Sequence, residues 1–89
     1  MFKWLGRWLD KQARAFRASV PVIKPFCLTY RNGGGYLQIG YQPPSYFAVA
    51  MDSGRFGIMR RTKCESYHDF GQTCYSVDFK FTGDYKESE

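Results

Sequence analysis

The chain has 89 residues, of which 44% are apolar and 24% charged, and its formal net charge is +5. These values are typical of one small globular domain over residues 1–89, and the 19% aromatic content argues against intrinsic disorder. No run approaches the roughly 18 consecutive apolar residues of a membrane span, and no signal-peptide pattern follows the basic amino terminus. We therefore expect a cytoplasmic protein with reduced cysteines.

The first predicted element is an amphipathic helix over residues 2–18. Apolar side chains recur at helical spacing on one half of the helical wheel, and cations occupy the other half. The apolar set is Phe2, Trp4, Leu5, Trp8, Leu9, Ala13 and Phe16. The cationic set is Lys3, Arg7, Lys11, Arg14 and Arg17. Because Pro21 disfavours helical geometry in the preceding residue, the helix should end near Ser19.

Residues 25–82 change to the period of two that is typical of strands. Turn residues separate five apolar runs, so we predict five strands that form an antiparallel sheet in hairpin order. Its inner face is predicted to carry Phe26, Leu28, Tyr30, Leu37, Ile39, Tyr41, Phe47, Val49, Met51, Phe56, Ile58, Tyr75, Val77, Phe79 and Phe81. Residues 62–73 are polar and are predicted to form a loop. Residues 83–89 are predicted to form an acidic flexible tail.

An open sheet must cover its apolar face, and the amphipathic helix is the one other element that the sequence offers. We therefore predict an α+β domain in which Leu5, Leu9 and Phe16 pack on the inner face of the sheet. A strongly coiled sheet that closes partly into a small β-barrel with a helix is the alternative architecture.

Catalytic and metal-binding patterns are weak in this sequence. Cys27, Cys64 and Cys74 lack the close spacing of paired zinc ligands, and His68 is the single histidine that could act as a general base. The glycines at 33–35 precede a predicted strand rather than a helix, so they do not fit a phosphate-binding loop. We expect no enzymatic activity, no cofactor and no bound metal.

The outer face of the predicted sheet combines small residues with Tyr, Met and Arg, which are enriched at protein interfaces. By strand parity this face presents Tyr36, Gly40, Tyr46, Ala48, Ala50, Gly57, Met59 and Arg61. Small residues at the centre would admit close approach of another backbone. We predict that this face binds a larger protein, a nucleoprotein complex or a second copy of the chain.

These features predict a non-catalytic binding protein that acts as an adaptor or inhibitor. In bulk properties it resembles the small accessory proteins with which phages and mobile elements block host machinery. One alternative is a module for single-stranded nucleic acid, with the cationic helix face as the polyanion-binding surface. Another is a peripheral membrane protein anchored by the helix, which is disfavoured because lipid would occupy the apolar face that the sheet needs.

Overall fold

The computed structural model describes residues 12–86, which form the end of a helix and an open five-stranded antiparallel sheet. The helix covers residues 12–19 and ends where Pro21 predicts. The strands are β1 (Cys27–Arg31), β2 (Gly34–Ile39), β3 (Tyr46–Ala50), β4 (Phe56–Asp69) and β5 (Gln72–Tyr85). Their order across the sheet is β1-β2-β5-β4-β3, so β1 and β3 are the edges. The predicted α+β class is confirmed.

The main core lies on one face of the sheet, which we call the core face. Its buried members are Ile23, Leu37, Ile39, Phe47, Val49, Met59, Val77 and Phe79. The rings of Phe47 and Phe79 meet edge to face with centroids 5.8 Å apart, although β4 separates their strands. This contact indicates that the sheet coils around its core face.

The opposite face, which we call the helix face, holds a second apolar cluster. Val20, directly after the helix, packs on Ala48 of β3 and Ile58 of β4. Phe16 of the helix contacts Tyr46 edge to face at a centroid distance of 5.3 Å. The described end of the helix therefore packs on the face opposite the main core.

The segment that follows the helix protects the edge of β3. The Ala48 amide donates to the Pro21 carbonyl at 2.8 Å, and the Ile23 amide donates to the Ala48 carbonyl at 3.0 Å. A single parallel bridge between Val22 and Ala48 results. Because these bonds use the backbone groups of Ala48 on its outer side, the centre of this edge is not free to pair with another strand.

The prediction that the helix covers the main apolar face was wrong for Phe16. Leu5 and Leu9, the other two residues assigned to that contact, lie outside the described residues. The physical reason for the error is that this sheet carries an apolar cluster on each face. The described end of the helix packs beside the smaller cluster, where Phe16 contacts Tyr46.

The predicted parity of β4 was also wrong. Gly57, Met59 and Arg61 lie on the core face, since Val49 pairs with Gly57 and Phe47 pairs with Met59. Strand parity had predicted Phe56 and Ile58 there instead. That prediction requires all large apolar side chains to share one face, whereas this sheet has an apolar cluster on each face.

Two segments that were predicted to be irregular are strands. Residues 62–73 contain the end of β4 and the start of β5, joined by a turn at Phe70 and Gly71. Most side chains here are exposed on both faces, so the apolar alternation that marks a strand is missing. The predicted flexible tail is also wrong in part, because β5 continues to Tyr85. The Arg55 guanidinium lies 3.6 Å above the centre of the Tyr85 ring.

Lys86 connects the end of the sheet to the end of the helix. Its ammonium donates to the carbonyls of Ala18 and Val20, each at 2.6 Å. Carbonyls in the last turn of a helix lack intrahelical partners, and the helix dipole favours a cation at this end. The contact therefore satisfies groups that would otherwise depend on water.

Replacing Lys86 with methionine should lower the free energy of unfolding by about 1–3 kcal/mol, because charged hydrogen bonds are lost at a half-buried site. Urea denaturation followed by circular dichroism measures this loss. The matched control is Lys24→Met, at an exposed position, which should change the free energy by no more than about 0.5 kcal/mol. Equal losses in the two variants would contradict the role assigned to Lys86.

Candidate protein-docking site

The docking face predicted from the sequence is not one continuous surface. Ala48 and Met59 are 0% exposed, and Gly57 is buried, so these three residues cannot contact a partner. Ala48 is covered by Val20, and a side chain at Gly57 would collide with the Met51 side chain. The assignment of these three residues to an exposed outer face was wrong.

The other residues of that predicted face are accessible to different degrees. The exposed members are Tyr36, Gly40, Tyr46 and Ala50. Arg61 is half-buried on the core-face side, where its guanidinium donates to the Pro43 carbonyl at 2.7 Å. Protein binding through the exposed members stays a prediction.

The predicted polyanion-binding residues are described only in part. Lys3, Arg7 and Lys11 lie outside the described residues. Arg14 is exposed, and Arg17 is half-buried. Polyanion binding by this set also stays a prediction.

The most prominent surface feature is a projecting hairpin arm, which we define as residues 67–74. The pairing of β2 with β5 ends at Ile39 and Tyr75. Beyond that point β4 and β5 pair only with each other, from Tyr67↔Cys74 to Asp69↔Gln72. With about 3.4 Å per residue, the arm extends about 14 Å past the end of β2.

Phe70 lies at the tip of this arm and is 98% exposed. Its φ of 50° and the φ of 77° at Gly71 form a two-residue turn in which both residues have positive φ. Asn32 and Gly33 make the same kind of turn between β1 and β2, with φ of 52° and 81°. Asn and Gly tolerate this geometry, whereas a bulky residue is strained in it.

The arm has support at its base. Cys74 is only 5% exposed and is paired with Tyr67 across the two strands. Partial burial raises the pKa of the Tyr67 hydroxyl above its ordinary value, and the neighbouring Cys74 thiol raises it further. Nearer the tip, the Thr73 hydroxyl lies 3.4 Å from Nδ1 of His68. These contacts hold the two strands together below Phe70.

The charge of the arm is low and slightly acidic. Asp69 is its only carboxylate, and it contains no Lys or Arg. The arm also contains one histidine, His68. An aromatic tip beside a carboxylate suits an apolar pocket with a positive rim better than it suits a polyanion.

Sequence reasoning missed Phe70 because it treated residues 62–73 as one polar loop. The available signal was a single Phe followed by Gly in a run of polar residues, a pattern that also fits an ordinary loop. Among residues 12–86, no group of three or more His, Cys, Asp or Glu side chains is arranged to hold a metal ion. Cys27, Cys64 and Cys74 are free thiols.

No protein-family model, no curated protein and no solved structure matches this chain. Within residues 12–86, no helix is both long enough and apolar enough to cross a membrane. The function is therefore inferred from the geometry of the residues themselves.

Proposed function

We propose that this is a non-catalytic binding protein, an adaptor or inhibitor, that docks on a larger protein through its hairpin arm. The observation that carries the proposal is the complete exposure of Phe70 at a turn whose geometry disfavours it. Neither the strained backbone nor the exposed apolar ring stabilises the fold. Asparagine at this position would tolerate the positive φ and would expose a polar side chain instead. Residues held in sparsely populated backbone conformations cluster at functional sites.

The tip chemistry favours a protein as the partner of the arm. A buried aromatic anchor at the centre of an interface supplies much of the binding energy, and surrounding contacts exclude water. Nucleic acid and anionic lipid both attract cations, yet the arm has no Lys or Arg and carries Asp69 beside its anchor. The expected receptor is an apolar pocket bordered by Lys or Arg, which could interact with the Asp69 carboxylate.

The proposal includes a location in the cytoplasm. Three free cysteines in a small protein support a reducing compartment. An inhibitor or adaptor of intracellular machinery would use the arm to reach into a cleft that its body cannot enter.

Site-specific photocrosslinking tests where the partner binds. A photoreactive phenylalanine analogue at position 70 should crosslink one protein in cells, and the same analogue at position 56 is the control. Phe56 is also exposed, at 42%, but lies at the start of β4, at the opposite end of that strand from the arm. The same adducts from both positions, or none from position 70, would contradict docking by the arm.

A second test uses the similarity of the two turns. Phe70→Asn creates the favoured Asn-Gly sequence, so the free energy of unfolding should stay equal or rise by about 0.5–1 kcal/mol. Binding to the crosslinked partner should weaken by about 2 kcal/mol or more, which corresponds to about thirtyfold in Kd. Titration calorimetry and urea denaturation measure the two effects. A variant that is equally stable and binds with unchanged Kd would exclude Phe70 as the anchor.

A further inference from the structure

Strand register places three cations in a straight line across the helix face of the sheet. Arg31 of β1 pairs with Gly34 of β2, and Gly34 pairs with Lys80 of β5. Lys80 in turn pairs with Arg60 of β4, which pairs with Tyr46 of β3. We call Arg31, Lys80 and Arg60 the cation row. All three side chains are exposed.

The cation row is electrostatically unfavourable for the folded sheet. Arg60 and Lys80 are direct cross-strand partners, and like charges at such positions destabilise a sheet. Among residues 12–86, the ion pair of the structure joins Lys63 to Glu65, at 3.1 Å, and includes no member of the row. A carboxylate at position 60 or 80 would remove the repulsion. The row therefore keeps positive potential at the surface at a cost in stability.

The residues next to the cation row show how a cation on this face can be paired with carboxylates. One step along the same face, Asp78 pairs across the strands with Lys63. A hydrogen bond and ion pair with Glu65 raise the pKa of the Lys63 ammonium, and Asp78 adds to the effect. Positive charge is thus neutralised beside the cation row but not within it.

An aromatic side chain stands at the end of the row. Tyr46 is 38% exposed, and the ring of Phe16 supports it edge to face. Gly34 has no side chain, so no side chain from β2 projects between Arg31 and Lys80 at this position. With strands about 4.8 Å apart, the three cations span about 14 Å before Tyr46 is reached.

We propose that the cation row binds the phosphodiester backbone of a single-stranded nucleic acid, with Tyr46 stacking on a base at the end of the track. Phosphate oxygens are attracted to exposed Lys and Arg, and stacking on aromatic rings is tolerant of sequence. A single strand fits this site because its bases are unpaired and can unstack to contact Tyr46. The site uses none of the predicted helix cations and does not depend on the hairpin arm.

The nearby carboxylates distinguish this partner from an anionic membrane. Asp78 and Glu65 lie on the same face as the cation row, within two residue pairs of it along the strands. A bilayer presents negative charge over a broad area and would contact these carboxylates along with the cations. A single strand can follow the row and avoid them.

The decisive variant is Arg60→Glu, which places a carboxylate opposite Lys80. Its melting temperature should equal or exceed that of the wild type, because a repulsive pair becomes an attractive one. Its affinity for a fluorescent oligothymidylate at low salt should fall about tenfold or more. Fluorescence anisotropy measures the affinity, and calorimetry measures the melting temperature.

The matched control is Lys24→Glu, which changes the net charge equally at an exposed position outside the row. It should weaken binding by no more than about twofold, since only the long-range field changes. Equal losses in both variants would overturn the proposal, as would wild-type affinity in Arg60→Glu. Binding to phosphatidylserine vesicles without binding to the oligonucleotide would overturn it too.

Salt dependence separates the phosphate contacts from the stacking contact. Arg60→Gln should make the slope of log affinity against log salt shallower by about 0.7, the value for one contact to a single strand. Tyr46→Leu, which keeps an apolar contact for Phe16, should lower affinity about fivefold or more with the slope unchanged. An unchanged slope in Arg60→Gln, or an unchanged affinity in Tyr46→Leu, would overturn the proposed contact of that residue.

Discussion

Replacing Ala48 with arginine is expected to unfold the protein. Ala48 is fully buried between Val20 and Ile58, and its backbone groups bond to the segment that follows the helix. Arginine there would displace this segment and leave a charge without water or a partner. We expect the free energy of unfolding to fall by about 4 kcal/mol or more. Circular dichroism and urea denaturation measure the loss.

The control is Ala50→Arg, two residues along β3 and on the same face. Ala50 is exposed, so its arginine should remain hydrated and change the free energy of unfolding by about 0.5 kcal/mol or less. Similar stability in Ala48→Arg and Ala50→Arg would contradict the packing of Val20 against this face.

Replacing Gly35 with alanine is expected to be the second most damaging change. The rings of Tyr30 and Phe79 stack with centroids 6.5 Å apart, and Tyr30 is the cross-strand partner of Gly35. A Cβ at this position would collide with the Thr29 carbonyl oxygen and lie 2.8 Å from Cζ of Phe79. Because a backbone oxygen cannot rotate away, we expect a loss of about 2–3 kcal/mol in the free energy of unfolding.

Gly40→Ala is the matched control for Gly35→Ala. A Cβ at Gly40 would lie 3.1 Å from Cζ of Phe26, which is exposed and can turn aside. Denaturation of the two variants side by side should show a much smaller loss of unfolding free energy for Gly40→Ala than for Gly35→Ala. Equal losses would indicate that added bulk alone, rather than the collision with Thr29, determines the effect.

Several parts of the fold could be predicted because the residue types at those points indicate one local structure. Leu37 and Ile39 alternate with more polar neighbours, and Val77 and Phe79 do the same. Burial confirms these four residues as core. Pro21 located the end of the helix for a local steric reason.

The prediction of which face each residue of β4 occupies was wrong because apolar and polar residues do not alternate there. Residues 56–59 read Phe, Gly, Ile and Met, so both parities contain a large apolar side chain. The pairing of β3 with β4 determines the face of each residue, because it places Met59 beside Phe47 and Ile58 beside Ala48. A pattern along one strand cannot supply that pairing, because it depends on the turn and on the cover available to each face.

The candidate sites were still harder to find from the sequence. Arg31, Arg60 and Lys80 are far apart in the chain, and they line up only through the successive pairings of β1 with β2, β2 with β5, and β5 with β4. The prediction of an exposed face of small residues was wrong for Ala48, because the segment after the helix covers this residue. Phe70 was overlooked because its importance arises from exposure and backbone geometry rather than from a motif.

The strand order also has a consequence for how the protein folds. β3, β4 and β5 can pair as successive hairpins, and β1 with β2 forms another, so both units need only local encounters. The pairing of β2 with β5 joins residues that are distant in sequence, such as Leu37 and Val77, and must close a long loop. We expect the pairing of β2 with β5 to be the slow step of folding. Changes to Leu37 or Val77 should then alter the folding rate, whereas changes within the hairpin arm should act mainly on unfolding.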